Sequence, residues 1–280
     1  MHRMIFEDFK KIRPDLELYF ACPSVLMDAV KDHPFIDGVC PVEHVKTDDF
    51  FHYDTSHACA RYEVGIAPLS DKHRSDIWAE HCGVTLTNHN MHINLTEEEI
   101  KYGQHVVKIA SKEQGPVIGI CPVSAMASKN LQPNQIQAIV KGVKELGLTP
   151  IGIHRTPVPP LNELNVPVVY GQSIRQWMGI INACDYIVSV DTSAFHFSGG
   201  IGKPMTAIFT WADGKVYGKY FDFVLVQKHR DNGDWPCGPC YQWPECPLTR
   251  SHLKPCLTEI TGEMIMDGIK KMLNKWPYRT

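Results

Sequence analysis

From Pro116 to Phe209 the chain alternates short apolar runs with helix-length amphipathic stretches, and that alternation leaves few folds open. PVIGICPV (116–123) is apolar throughout, as in a strand buried on both faces. A helix is predicted from Asn134 to Leu146, ended by Gly147. Strands follow at 149–154 and 166–171, then a helix from a Ser173 cap to Ala183. YIVSV (186–190) and MTAIF (205–209) are the next two strands, with a short helix between them, and FDFVLVQ (221–227) is another. Strands separated by helices in this order predict a parallel, doubly wound α/β sheet.

The stretch from Tyr186 to Phe209 holds the densest chemistry. Its apolar run ends abruptly in Asp191-Thr192-Ser193. Thr192 and Ser193 suit a helix N-cap, and the free amides of a helix start suit a phosphate. Ser193 and His196 are three apart and share a helix face. A carboxylate, two hydroxyls, bare amides and an imidazole therefore gather at the C-terminal edge of the sheet, where open α/β folds bind ligands. An α/β protein also needs capped helices for stability alone, so the caps by themselves do not establish a site.

Composition narrows the partners. The 28 basic and 31 acidic residues give a formal charge of −3, which offers no electrostatic basis for nucleic-acid binding. No run approaches the roughly 18 apolar residues of a membrane span, and the first residues lack a signal-peptide core. A cytoplasmic protein is expected, with peripheral contact to an inner membrane within that expectation.

Cys237, Cys240, Cys246 and Cys256 have the spacing C-x2-C-x5-C-x9-C in a Pro- and Trp-rich segment. That spacing fits a tetrahedral four-sulfur site for structural zinc or iron, and it also allows free thiols or disulfides. The other six cysteines are scattered like core residues. The fourteen histidines show no metal-ligand spacing such as HExxH.

In the N-terminal part a helix is expected to end near Lys11, a strand to run through LELYFAC (16–22), and a helix to cover Ser24–Val30. HPFIDGVCPV reads as a turn into a strand, and 72–84 as a helix closed by Gly83. Thr96 with Glu99 forms a capping box that opens a helix through Ala110. Polar Lys112–Gly115 reads as a linker, giving domains 1–112 and 113–280. A terminal helix is expected to start at Thr261.

Taken together, an apolar strand, Asp191-Thr192-Ser193, His196, Gly202-Lys203-Pro204 and MTAIF resemble the C-terminal signature of the heptosyltransferases, glycosyltransferase family 9. Ser193 stands where the family has Gly. The resemblance covers most of residues 5–275 and is looser before residue 110. It implies a GT-B-like architecture, two Rossmann-like domains facing across a cleft.

It also implies inverting transfer of a sugar from a nucleotide sugar such as ADP-heptose to a glycan or lipid-linked glycan hydroxyl, with no catalytic metal. Ser124 and Lys129 then fall in the loop that meets the donor diphosphate, with Asp191, Thr192, Ser193 and His196 opposite; Ser173 and Gln176 fall near the ribose or base. Family members begin with a strand and a Gly-Asp loop that carries the catalytic base, whereas this chain starts at the following helix. No base is assigned, and self-association through the open N-terminal sheet is expected. A GT-B nucleotide-sugar epimerase and a non-catalytic nucleotide-sugar-binding protein are the alternatives.

Overall fold

The computed structural model describes residues 1–45, 53–55, 57–66, 71–210, 212–228, 245–246, 249–250 and 254–278. The chain divides into two compact units, Met1–Ile66 with Ser70–Leu95, and Ala67–Leu69 with Thr96–Thr280.

The first unit contains α1 (Phe6–Ile12), β1 (Tyr19–Cys22), β2 (Gly38–Pro41), α2 (Ala58–Ile66) and α3 (Arg74–His81). β1 and β2 pair in parallel, the only strands of this unit among the described residues. β1 is shorter than the sequence suggests. The Leu16 carbonyl is taken by Lys10 and the Leu18 amide by Asp37, so the chain enters the sheet only at Tyr19. Ser24–Ala29 is a 3-10 helix rather than an α-helix; none of its residues is buried, so no packed face rewards the wider turn. Arg3 is buried and ties the unit together, donating to the carbonyls of Ala29 and Met91 and pairing with Asp32 at 2.8 Å.

The second unit runs α4 (Glu97–Ser111), β3 (Val117–Cys121), α5 (Pro133–Glu145), β4 (Thr149–Ile153), α6 (Pro159–Glu163), β5 (Val168–Val169) and α7 (Ile174–Ala183). It continues with β6 (Tyr186–Val190), α8 (Ser193–Gly200), β7 (Met205–Phe209), α9 (Gly214–Tyr217), β8 (Val224–Gln227), α10 (Pro255–Thr258) and α11 (Gly262–Lys275). Its six strands are all parallel, in the order β5-β4-β3-β6-β7-β8. Every residue of β3, β6 and β7 is buried, which is why these segments are apolar without alternation. Ile118 and Ile120 share a core with Ile136, Ile139 and Val143 of α5 and Ile265 and Ile269 of α11.

The compact units part between Leu95 and Thr96, not at Lys112, and α4 belongs to the second. Two features hold α4 there. The backbones of α4 and α7 touch where Gly103 meets Gly179; a Cβ on Gly103 would lie 2.0 Å from the Gly179 carbonyl oxygen. Beside them Arg175 grips Glu99 through two hydrogen bonds of 2.7 and 2.6 Å. The polar Lys112–Gly115 stretch is a tight reversal into β3, with Lys112, Glu113 and Gly115 all left-handed, so its polarity marks a turn and not a linker.

Candidate functional site

Strand order reverses between β3 and β6. The chain winds outward from β3 to β4 and β5, then returns to β6 and winds the other way. The loops leaving the C-terminal ends of β3 and β6 consequently diverge, and the crevice between them is where doubly wound folds take ligands. Lys129 lies in the first loop and Asp191 ends the second strand. Lys129 Nζ lies 2.7 Å from Asp191 Oδ2 and also donates to the Asp191 carbonyl at 3.4 Å. Their side chains are only 16% and 7% exposed, so the pair is largely withdrawn from water and its field is weakly screened. His196 Nε2 sits 3.8 Å from the other carboxylate oxygen, with its ring edge-on to Phe195.

Thr192 caps α8, its Oγ1 accepting the Ala194 amide at 3.1 Å. Ser193 occupies the first turn of α8, exposed and right-handed. Ser193 thus carries its hydroxyl there without backbone strain.

Ser124 turns its hydroxyl back into its own loop, bonding the Met126 amide and carbonyl at 3.0 and 3.1 Å. Gln176 belongs to the capping box of α7, the helix that leads from β5 to β6, its Oε1 accepting the Ser173 amide at 3.0 Å. The structure therefore brings Lys129, Asp191 and His196 together, with Thr192 and Ser193 following Asp191 in the chain.

Gly202-Lys203-Pro204 serves the opposite edge of the sheet. Gly202 is left-handed at φ +68 and ends α8. Lys203 Nζ donates to the carbonyls of Asn182 and Cys184 at 2.7 and 2.8 Å, satisfying the end of α7. Burial lowers its pKa.

Asn130 and Thr210 belong to no motif of the sequence. Asn130 Oδ1 accepts the Ser124 amide at 2.7 Å, and Thr210 Oγ1 reaches the Ser128 carbonyl at 3.4 Å, so both brace the loop that carries Lys129. An Asn directly after Lys129 is the available signal, since Asn side chains close turns.

Of the four clustered cysteines, Cys237 and Cys240 lie outside the described residues; Cys246 is buried and Cys256 half-buried. No group of three metal-ligating side chains is assembled among the described residues. Burial pushes the thiols of Cys59 and Cys121 up to about 12, which suits core residues rather than nucleophiles. No helix among the described residues is long and apolar enough to cross a membrane.

Fold and crevice together define a doubly wound, parallel α/β unit with the Lys129–Asp191 pair at its topological switch point. No family model and no curated protein matches the chain. Solved structures do, over almost its full length, and they give it a heptosyltransferase-like fold of glycosyltransferase family 9 type. ADP-heptose LPS heptosyltransferase II of E. coli aligns with a TM-score of 0.68 at 12% identity, covering 98% of this chain and 94% of that one. A family 9 glycosyl transferase from Veillonella parvula aligns with a TM-score of 0.66 at 13% identity, covering 98% and 93%. TibC, a dodecameric iron-containing heptosyltransferase solved with ADP-D-β-D-heptose, aligns with a TM-score of 0.64 at 12% identity, covering 98% and 74%.

Proposed function

We propose that the protein is a glycosyltransferase that moves a heptose or related sugar from a nucleoside-diphosphate donor, such as ADP-heptose, to a glycan hydroxyl with inversion. The observation that carries this reading is the Lys129–Asp191 pair beside the start of α8, at the β3–β6 reversal. The fold shared with structures of heptosyltransferases supports it.

In such a transfer the bond from the anomeric carbon to the diphosphate oxygen breaks. The acceptor oxygen attacks from the opposite face, and the nucleoside diphosphate departs with added negative charge. Lys129 supplies a fixed ammonium at that charge, and the first amides of α8 supply dipoles aligned with it. Asp191 holds Lys129 in place in the free protein. Donor oxygens then share or displace that contact, so the ammonium is aimed before the donor arrives. Ser193 offers a further hydroxyl, and His196 Nε2 lies 3.8 Å from Asp191 Oδ1.

The test is a panel of ADP-, UDP- and GDP-sugars offered with glycan acceptors. The expected result is acceptor-dependent release of nucleoside diphosphate and a product of inverted anomeric configuration by NMR. Epimerised free sugar formed without acceptor would replace this reading with an epimerase. Failure to turn over any donor with a folded protein would remove the transferase reading.

The same proposal includes a structural zinc or iron on Cys237, Cys240, Cys246 and Cys256, since four thiolates suit either metal. Protein purified without chelator should carry about one equivalent, and less than about a tenth would contradict the site.

A further inference from the structure

We infer that Asn130 is a second donor-binding residue of this site, its side-chain NH2 hydrogen-bonding the diphosphate beside Lys129. The inference rests on the nucleotide-sugar reading above and adds a residue to it.

A diphosphate presents more acceptor oxygens than one ammonium can meet, and Lys129 is already shared with Asp191. Ser124, at the start of the same loop, turns its hydroxyl inward to the Met126 amide and carbonyl. Asn130 differs. Its Oδ1 accepts the Ser124 amide at 2.7 Å, and because an N–H can only donate, this bond fixes which end of the carboxamide is oxygen. The NH2 end is the remaining donor of this side chain, and it makes no hydrogen bond to the described residues.

The loop itself is braced on three sides. The Leu131 amide bonds the Pro122 carbonyl at 3.0 Å, closing the loop at its neck. Thr210 holds the Ser128 carbonyl, and Gln132 reaches the Asn130 carbonyl at 3.4 Å. An amide donor beside a fixed ammonium, in the braced loop that follows β3 where the sheet reverses, is an arrangement that stabilises developing charge at low reorganisation cost.

Two substitutions separate a ligand contact from mere loop closure. Asn130→Ala removes both ends of the carboxamide. Asn130→Asp keeps the oxygen that receives the Ser124 amide but puts a carboxylate oxygen where the NH2 stood. The measurement is calorimetric titration with ADP, and with inorganic pyrophosphate, alongside thermal melting of each variant.

The expected result is affinity falling about tenfold in Asn130→Ala and about a hundredfold in Asn130→Asp, while Asn130→Asp melts like the wild type. If Asn130→Asp binds ADP like the wild type, Asn130 only closes its loop and the inference is overturned. Unchanged binding by Asn130→Ala overturns it as well. A wild type that binds neither probe removes the nucleotide reading itself, and this inference with it, which distinguishes the two failures.

Discussion

Lys129→Ala should slow sugar transfer by roughly 10²–10³-fold at saturating donor, the scale of removing one preorganised charge-stabilising donor. Lys129 approaches Asp191 from the opposite loop, and both side chains are largely buried. The same substitution strands the Asp191 carboxylate without its principal cation, and breaking a buried pair from one side destabilises by about 3–5 kcal/mol. The double variant Lys129→Ala/Asp191→Asn separates the two consequences. It should recover much of the melting temperature and none of the turnover. A single variant with wild-type kcat would show that Lys129 does not face the leaving group.

Gly103→Leu should prevent the second unit from folding, or destabilise it by about 3 kcal/mol or more. A Cβ at this position would stand 2.0 Å from the Gly179 carbonyl oxygen and 2.2 Å from its carbon, and backbone cannot step aside as a flexible side chain can. Circular dichroism melting checks it, and a variant within about 0.5 kcal/mol of wild type would mean that α4 does not lie directly on α7.

Acid should weaken the same contact. Arg175 hydrogen bonding holds the Glu99 carboxyl at about 2, against 4.5 for the ordinary group. The folded state thus binds this proton less readily than the unfolded chain. The stabilisation is complete above the ordinary carboxylate value and is lost as pH falls from about 4.5 towards 2. Melting of the wild type should drop across that window more steeply than melting of Glu99→Gln.

The second unit was the more legible in the sequence, for a physical reason. Strands buried on both faces, such as VIGIC and YIVSV, leave unbroken apolar runs, and capping boxes at Thr96 and Ser173 mark where helices begin. The 3-10 segment at Ser24 and the late start of β1 were not legible. The start of β1 depends on Asp37 reaching the Leu18 amide, and the 3-10 segment on having no buried face, and propensity carries no trace of either.

The domain boundary shifted because Lys112–Gly115 is polar, as linkers and tight turns both are. The glycines that seat α4 on α7 read, one at a time, as ordinary helix interruptions. Within the site, charged Lys129 and the Asp191-Thr192-Ser193 run were visible as motifs. Their meeting across two loops required the strand order, and Asn130 became visible only through its bond to the Ser124 amide.

Calorimetric titration of the wild-type protein and of Lys129→Ala with ADP, UDP and GDP tests the central claim most directly. At least one nucleoside diphosphate should bind the wild type at one site per chain. The same nucleotide should bind Lys129→Ala about tenfold or more weakly, the scale of one charge-assisted hydrogen bond. A wild type that binds none of the three at millimolar concentration, or a Lys129→Ala variant that binds as tightly as wild type, would contradict a diphosphate site at the β3–β6 edge.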